Sequence, residues 1–528
     1  MSEAHLAIVL HAHLPFIHHP EHRMFLEEDW LFEGITETYI PLLLSWDRLE
    51  RDGVPFRLTM SLTPTLLEML ANPMLQERYQ VYLARRIELM QREVRRHTPK
   101  SPERAVALHY MERFREVRDF YQRRCERDLV GAFRKLQDAG HLEVIGCAAT
   151  HGFLPLMLTP NAVRAQVEVG LATVEKHLGR RPTGFWLPEC AFRPGLDEVL
   201  ADAGVAWFLA DAHGLFNAFP PPEGGVHAPV LCPSGVAAFG RDLESSKQVW
   251  SSVEGYPGDG AYREFYRDLG YDASYDYIQP YLHADGVRRN IGVKYHRVTG
   301  RVGLHEKEVY NRAAAVAKAR EHAGHFVFCR QHQVRFLKQR LPAAPVVVAP
   351  YDAELFGHWW YEGPEFLEQL FRSAQFATED FSVSTVGDCL RYHAPRQAAM
   401  PSSSSWGQGG YFEVWLNSAN DWIYRHLHQA EERMVALARA HAEETSPPVR
   451  RALNQAAREL LLAQSSDWAF LMSAGTATPY AEKRTRDHLH RFARLCDMIE
   501  AGRISRTYPA ECFKKNPVFA EIDYRAYL

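Results

Sequence analysis

The stretch LAIVLHAH, residues 6–13, is a continuous apolar run that ends in His11 and His13. A short run without polar interruption is typical of a strand that is buried on both faces, as in a parallel sheet. Residues two positions apart point to the same side of a strand, so both imidazoles should lie together at its end. The sequence therefore predicts a buried parallel strand that delivers two histidines to one face.

Similar apolar runs recur along the chain, at 56–60, 142–147, 184–187, 206–209, 346–349 and 381–386. Helical stretches such as 162–177 and 196–203 lie between them, and this alternation favours an α/β fold with a parallel sheet. Several runs lead into polar or reactive side chains, namely His151, Glu189, Asp211 and Asp352. Functional groups at the carboxyl ends of parallel strands are typical of a barrel's active face, and the irregular spacing predicts a distorted barrel.

The rest of the chain is predicted to be helical. Residues 72–136 are dense in Arg and Glu at helical spacing, which indicates a helical insertion with a solvated charged face. A Ser/Gly/Pro-rich segment at 395–410 marks a linker or large loop. Beyond it, apolar residues recur at spacings of three and four, as on one face of a helix. We therefore expect a catalytic unit at 1–400 and an all-helical domain at 401–528.

Composition excludes several classes of function. The 528 residues have 61 basic and 65 acidic side chains, a net charge of -4, which gives no reason to expect nucleic acid or an anionic membrane as partner. No stretch approaches about 20 uninterrupted apolar residues, the length of a transmembrane helix. The eight cysteines form no CxxC pair, and the N-terminus lacks a basic leader, so the sequence predicts a reduced, cytoplasmic protein.

Two carboxyl groups are the strongest candidates for catalysis. Glu189 lies in WLPEC, residues 186–190, and Asp352 begins DAELFGHWW, residues 352–360, directly after an apolar strand. Aromatic and apolar neighbours shield a carboxyl group from water and raise its pKa, which suits acid/base or nucleophilic work. Glycoside chemistry needs two carboxyl groups that face each other across a sugar ring, and either of these could protonate the leaving oxygen while the other attacks.

The histidines allow two interpretations. His11 and His13 could share a metal ion, since imidazoles at this spacing are suitable ligands. They could equally bind sugar hydroxyls or orient a carboxylate, and His151 could join them.

Aromatic side chains of the C-terminal part could bind a sugar polymer. Indole faces stack on pyranose rings and an aspartate binds hydroxyls, which makes Trp406, Trp415 and Asp467 candidates. The alternative for Trp415 and Trp468 is simple packing of the helices onto the barrel. Trp406 lies in a Ser/Gly loop with few core partners, which favours exposure in a cleft.

Taken in order, these motifs resemble glycoside hydrolase family 57, and most closely its 1,4-α-glucan branching enzymes. Five motifs carry the resemblance: HAHLP at 11–15, the segment 146–151, WLPE at 186–189, DAELFGH at 352–358 and SSDWAF at 465–470. Segments 30–33 and 262–265 also resemble parts of the family.

The resemblance implies a distorted (β/α)7 barrel with helical insertions and a C-terminal helical domain that closes the cleft. It implies a retaining mechanism on α-glucans such as amylose, with no metal or other cofactor. Glu189 would form the glucosyl-enzyme, and Asp352 would protonate the leaving oxygen and then deprotonate a 6-hydroxyl acceptor. Arg263, Trp406 and Asp467 would contact the substrate.

One segment departs from the family pattern. Branching members carry a mobile loop over the site with a tyrosine near its tip. The corresponding segment here, 232–248 within a predicted mobile region of 232–262, has Phe239 but no tyrosine. We therefore expect Phe239 to be the gating residue and expect branching accompanied by appreciable hydrolysis.

Other functions remain open from the sequence alone. An α-amylase or a 4-α-glucanotransferase could use the same scaffold. A metal-dependent deacetylase or mannosidase could use His11 and His13 as ligands, although no aspartate flanks them. A noncatalytic glucan-binding protein would leave the two carboxyl motifs unexplained. The sequence does not give the oligomeric state.

Overall fold

The computed structural model describes residues 4–251 and 254–528. Residues 1–3 of the predicted catalytic unit and residues 252 and 253 of the predicted mobile region lie outside the described residues. Within the described ranges, no helix combines the length and the apolar character that crossing a membrane requires.

The strands form one curled sheet that is mostly parallel. They are β1 (His5–Ala12), β2 (Leu58–Leu62), β3 (Leu142–Cys147), β4 (Gly184–Trp186), β5 (Trp207–Ala210), β6 (Val230–Leu231), β7 (Ala237–Gly240), β8 (Val346–Asp352) and β9 (Ser382–Val383).

Seven of these strands, in the order β7-β5-β4-β3-β2-β1-β8, pair side by side in parallel. β6 extends the sheet antiparallel to β7, and β9 pairs with β1. The two ends of the sheet meet through single backbone hydrogen bonds: Asp242 N–H donates to Val348 O at 2.8 Å, and Val346 N–H donates to His227 O at 2.9 Å. The fold is the distorted (β/α)7 barrel that the sequence predicts.

The helices surround the sheet and form the C-terminal region. They are α1 (Glu28–Glu33), α2 (Ile40–Arg51), α3 (Pro64–Leu70), α4 (Pro73–Arg96), α5 (Pro102–Asp119), α6 (Leu129–Asp138), α7 (Pro160–Leu178), α8 (Leu196–Asp202), α9 (Ala212–Phe216), α10 (Leu243–Trp250), α11 (Leu269–Asp272), α12 (Tyr275–Ile278), α13 (Arg312–Lys338), α14 (Gly363–Ala374), α15 (Val386–Tyr392), α16 (Trp422–Ala440), α17 (Pro447–Ala463), α18 (Ser466–Ala474), α19 (Thr478–Glu500) and α20 (Tyr508–Lys515).

Local sequence signals account for the ends of several helices. α7 begins after Thr159, whose side chain accepts a hydrogen bond from the Ala162 N–H, and it ends at Gly179 in the left-handed conformation. Ser446 precedes α17, which starts with Pro447 and packs along α19. Proline at the first helical position and glycine just past the last are the preferred residues there.

Alternate side chains of the strands point inward and fill the barrel interior as far as the carboxyl ends of the strands. Ala7 and Val9 of β1 lie in a buried cluster with Trp186, Trp207 and Phe239. His11 continues the same face of β1, because side chains two apart share a face.

The prediction that Phe239 gates the site is wrong. The predicted mobile region contains β7 and α10, and Phe239 lies on β7 with its side chain 1% exposed. Its ring packs edge-on against Trp207, with centroids 5.9 Å apart. The run VAAF, residues 236–239, is apolar enough to pair with β5 as a buried strand, and this pairing removes Phe239 from any loop.

Candidate active site

Strand register brings the first pair of candidate residues together. β1 pairs with β8 so that His11 lies opposite Asp352. The His11 ring stacks on Trp186 of β4, with centroids 4.3 Å apart and planes 7° apart. Its Nε2 is hydrogen-bonded to Nε2 of His151 at 3.0 Å. His11, at the end of β1, therefore lies between Asp352 of β8 and Trp186 of β4, and we call this arrangement the floor of the site.

The other two histidines link this floor to the C-terminal helices. His13 Nε2–H donates to both carboxylate oxygens of Asp467, each at 3.1 Å, and Nδ1 bonds Thr63 Oγ1 at 3.0 Å. His151 stacks on His13 with centroids 3.8 Å apart, and its Nδ1 bonds Ser466 Oγ at 2.8 Å. The predicted histidine group is thus assembled in one place.

Burial controls the protonation of these groups. Desolvation, followed by the nearby His13, holds the pKa of His11 and that of His151 well below the ordinary value, so both rings are neutral near pH 7. Burial alone would raise the pKa of Asp467, but His13 outweighs it and holds that pKa below its usual range. Asp467 therefore stays ionised and orients His13.

Glu189 lies in a strained turn directly after β4. Its φ is +63°, in the left-handed region that residues other than glycine seldom adopt, and Cys190 has a φ of +49°. His151, next to it in space, has a φ of +55°. Unfavourable backbone conformations of this kind concentrate at functional sites, where the surrounding packing maintains them. The turn points the Glu189 carboxyl group toward His151, at 3.8 Å from Nδ1 to Oε1.

Trp406 binds Glu189 through two donors. Its backbone N–H donates to Glu189 O at 3.0 Å, and its indole N–H donates to Glu189 Oε2 at 2.7 Å. The indole is half-buried and meets Trp186 edge-on at 5.0 Å. Trp406 therefore lies at the site, as predicted, but its first contact is with the carboxyl group itself.

Asp352 ends β8 beside a second acidic residue. Burial and the negative charge of Glu354 raise the pKa of Asp352 to about 7. Glu354 is held by the Tyr39 hydroxyl and by the His13 backbone N–H, which donates to Oε1 at 3.2 Å. Among the described groups, none donates a hydrogen bond that lowers the pKa of Asp352. Its carboxyl group is therefore suited to hold a proton near neutral pH.

Burial also raises the pKa of Glu189, to about 8, with a further contribution from the charge of Asp352 and an opposing one from the Trp406 hydrogen bond. The charge of Asp352 therefore acts on Glu189. A pair of largely buried carboxyl groups with raised pKa values keeps a proton near neutral pH and can work as nucleophile and general acid.

Two residues predicted to contact the substrate, Arg263 and Trp415, are instead buried against protein partners. Arg263 is buried, pairs with Glu37 at 3.4 Å, donates to Tyr110 Oη at 3.3 Å and donates to His358 O at 2.9 Å. A guanidinium group buried this deeply needs such partners, which the sequence pattern does not reveal. Trp415 is 1% exposed and stacks on Phe153 with centroids 4.5 Å apart, so it packs the helical region onto the barrel.

A metal ion would need a cluster of suitable ligands. Among the described residues, no group of three or more His, Cys, Asp or Glu side chains is arranged to hold one. His13 is instead satisfied by Asp467 and Thr63.

Several residues at the site were not predicted. Arg241, just after β7, places its guanidinium carbon 5.7 Å from the Trp406 ring centroid, and Trp250 of α10 meets Trp406 edge-on at 5.9 Å. Glu354 raises the pKa of Asp352. Its presence in the Asp352 motif was the sequence signal that could have revealed it. The sequence gives no such signal for Arg241 and Trp250, because only the closure of the sheet brings them near Trp406.

Known proteins resemble this chain over its whole length. A family model described as Glycosyl hydrolase family 57 matches residues 7–401, and one described as 1,4-alpha-glucan branching enzyme, C-terminal, matches residues 426–527. The 1,4-alpha-glucan branching enzyme TK1436 of Thermococcus kodakarensis is 34% identical over 531 residues, which cover 94% of this chain and 74% of that protein.

Solved structures agree with this relationship. The alpha-amylase AmyC from Thermotoga maritima is 44% identical with a TM-score of 0.93, and the match covers 99% of both chains. The GH57-type branching enzyme from Pyrococcus horikoshii is 32% identical with a TM-score of 0.89, and the match covers 100% of this chain and 97% of that one. On these matches, the chain belongs to glycosyl hydrolase family 57.

Proposed function

We propose that this protein is a 1,4-α-glucan branching enzyme, which cleaves an α-1,4 linkage with retention and transfers the glucan chain to a 6-hydroxyl. The observation that carries the proposal is the match of residues 426–527 to the branching-enzyme C-terminal model, joined to a barrel in which two partly buried carboxyl groups have raised pKa values. Two relatives that are described as a 1,4-alpha-glucan branching enzyme and a probable one support the proposal.

In the proposed mechanism, Glu189 attacks the anomeric carbon and Asp352 protonates the leaving oxygen. Asp352 then takes the proton of the acceptor hydroxyl as the glucosyl-enzyme is resolved. The Trp406 indole N–H stabilises the ionised form of Glu189. In the empty site the pKa of both groups is raised, to about 8 for Glu189 and about 7 for Asp352, and the proposed mechanism requires the proton to lie on Asp352 once a glucan fills the cleft. The leaving oxygen, which accepts a hydrogen bond from Asp352, favours that state.

His13 and Asp467 are proposed to bind sugar hydroxyls, and His11 and His151 to support the floor of the site. Only His13 and Asp467 are partly exposed, whereas His11 and His151 are each 2% exposed. We therefore assign direct sugar contacts to His13 and Asp467, and support of the floor to the two buried rings.

Hydrolysis by an α-amylase is the second candidate function. Two observations favour it: the similarity to the alpha-amylase AmyC, and the buried position of Phe239, which cannot shield the site from water. Trp250, whose ring meets Trp406 edge-on, could shield the site from water instead. Water competes with the sugar acceptor unless the site excludes it.

Incubation with amylose tests the two candidates against each other. We expect new α-1,6 linkages, counted by NMR and by the chains that a debranching enzyme releases, to exceed new reducing ends. Reducing ends with few or no new α-1,6 linkages would instead identify an amylase on this scaffold. Glu189→Gln serves as the inactive control for both readouts.

Two further assignments belong to the proposal. We retain a division of the chain into a catalytic unit, 1–400, and a helical domain, 401–528, supported by the end of the last strand at Val383 and the start of α16 at Trp422. We also propose a cytoplasmic location, supported by eight cysteines that are all free thiols.

A further inference from the structure

The segment that carries Trp406 is held in place by α9, the short helix after β5. Ser402 N–H donates to Gly214 O at 2.9 Å. On the other side of Trp406, Gly410 O accepts a hydrogen bond from His213 Nε2–H at 2.6 Å. α9 therefore contacts the segment both before and after the tryptophan.

Two glycines permit this close approach. Gly410 has a φ of +82°, and a Cβ there would lie 3.1 Å from the His213 ring. A Cβ on Gly214 would lie 2.4 Å from Ser404 Oγ. Any other residue at Gly410 would be strained in its backbone and would press on the imidazole. The absence of a side chain at Gly410 and at Gly214 therefore allows the segment and α9 to pack closely around His213.

Asp211 links His213 to Arg241, which lies over the Trp406 ring. Its Oδ1 lies 3.0 Å from His213 Nδ1, and its Oδ2 accepts a hydrogen bond from Arg241 Nη1 at 3.1 Å. Each ring nitrogen of His213 faces an oxygen that can only accept, Asp211 Oδ1 at Nδ1 and Gly410 O at Nε2. His213 makes both hydrogen bonds when each ring nitrogen carries a hydrogen. Arg241 lies over the Trp406 ring. A continuous chain of contacts therefore runs from Gly410 through His213, Asp211 and Arg241 to Trp406.

We propose that Asp211 and His213 are positioning residues, which hold the Trp406 indole N–H against Glu189 during the reaction. Neither side chain hydrogen-bonds Glu189 or Asp352, so they act through Trp406 and not on the substrate. The inference rests on the proposed role of Glu189 as nucleophile. A hydrogen bond of 2.7 Å is sensitive to small displacements, and errors of about 1 Å in an active site can cost 100-fold in rate.

His213→Ala is the first test, with total glucan cleavage as the readout so that the result does not depend on the branching ratio. We expect kcat to fall roughly 10-fold or more. The acidic limb of the pH profile should move to higher pH, because a weaker donor raises the pKa of Glu189. Loss of stability alone would not move that limb. His490→Ala, at an exposed histidine of α19, is the matched control and should leave kcat and the limb unchanged.

Conservative variants separate positioning from folding. Asp211→Asn should recover most of the activity lost in Asp211→Ala, because an amide can donate to His213 Nδ1 and still accept from Arg241. If His213→Ala does not fold, His213→Gln takes its place, since an amide at this position can still donate to Gly410 O. Its acidic limb should then lie close to that of the wild-type enzyme.

A double-mutant cycle gives the decisive result. In Trp406→Phe, which lacks the indole N–H, His213→Ala should cost little further activity, because the two residues act on one bond. An undiminished loss in that background, or a folded His213→Ala with wild-type kcat and pH profile, overturns the inference. If Glu189→Gln is fully active, the proposed function has failed instead, so the two failures are distinguishable.

Discussion

Trp406 donates both of its N–H groups to Glu189, from the backbone to Glu189 O at 3.0 Å and from the indole to Oε2 at 2.7 Å. The backbone bond fixes the position of the 401–410 segment relative to the strained turn after β4. The indole bond acts on the reactive carboxyl group. A segment rich in Ser and Gly is therefore tied to the one residue that the proposed mechanism requires to be ionised.

Replacing Trp406 with Phe removes the indole donor while retaining an aromatic ring. We expect kcat to fall roughly 10- to 100-fold, because removal of one preorganised donor to a reacting group has effects of this order. The melting temperature should change little, since the indole is only half-buried. Steady-state kinetics on amylose and thermal unfolding measure the two effects.

Trp415→Phe is the matched control for this prediction. Trp415 is fully buried against Phe153, and its indole nitrogen lies among the buried atoms without a hydrogen-bond partner. Its substitution should lower the melting temperature without a selective loss of kcat. The opposite pattern, in which Trp415→Phe impairs kcat and Trp406→Phe impairs only stability, would refute the assignment of the two tryptophans.

The carboxyl pair predicts a specific stereochemical outcome. Retaining enzymes separate their two carboxyl groups by about 5–5.5 Å, and we expect this spacing between Glu189 and Asp352 in a crystal structure. NMR of the first product should show that the α-anomer is kept. Glu189→Gln and Asp352→Asn should each remove nearly all activity in a folded protein. A separation near about 9 Å with an inverted product would contradict the proposal.

Treatment with a chelator should leave the rate on amylose unchanged. The His13 nitrogens bond Asp467 and Thr63, and His151 bonds Ser466, which leaves these groups engaged in a hydrogen-bonded floor. Metal analysis of the purified enzyme accompanies the assay. Stoichiometric zinc whose removal abolishes turnover and whose return restores it would mean that the histidines are ligands after all.

Three of the predicted site residues share one property: each follows a run of apolar residues near the end of a parallel strand. His11, Glu189 and Asp352 meet because parallel strands end at the same edge of the sheet, a rule that needs no tertiary detail. Phe239 was misplaced because its short apolar run, 236–239, lies between Gly235 and Gly240 and resembles part of a loop. Its pairing with β5 is a long-range contact that no local pattern reveals.

Buried polar networks were also beyond local patterns. Arg263 carries the same motif signal whether it binds a sugar or an internal carboxylate, and only Glu37, from a distant helical segment, decides between the two. Asp211 was noted as a strand-end carboxylate, and His213 lies only two residues further along the chain. Arg241, by contrast, follows β7, and only the pairing of β5 with β7 brings it to Asp211.

The raised pKa values predict how stability depends on pH. Burial raises the pKa of Glu189 from 4.5 to about 8, so between these values the folded protein holds a proton that the unfolded chain has released. The free energy of unfolding therefore falls as the pH rises through this window. The protonated Glu189 carboxyl group contributes its full stabilisation only below 4.5, the pKa in the unfolded chain. Glu189→Gln replaces the carboxyl group with a neutral one of the same shape. It should unfold like the wild type near pH 4.5 and be more stable near pH 8.5, by on the order of 2 kcal/mol.

Thermal and denaturant unfolding at the two pH values measure this difference. Asp352→Asn should behave in the same direction, because burial raises the pKa of Asp352 to about 7. Glu432→Gln, at an exposed position of α16, provides the control and should show no pH-dependent gain. A Glu189→Gln variant that is less stable than the wild type at pH 8.5 would mean that the ionised carboxylate is favoured in the folded protein. In that case the Trp406 hydrogen bond outweighs burial, and Glu189 is ionised before any substrate arrives.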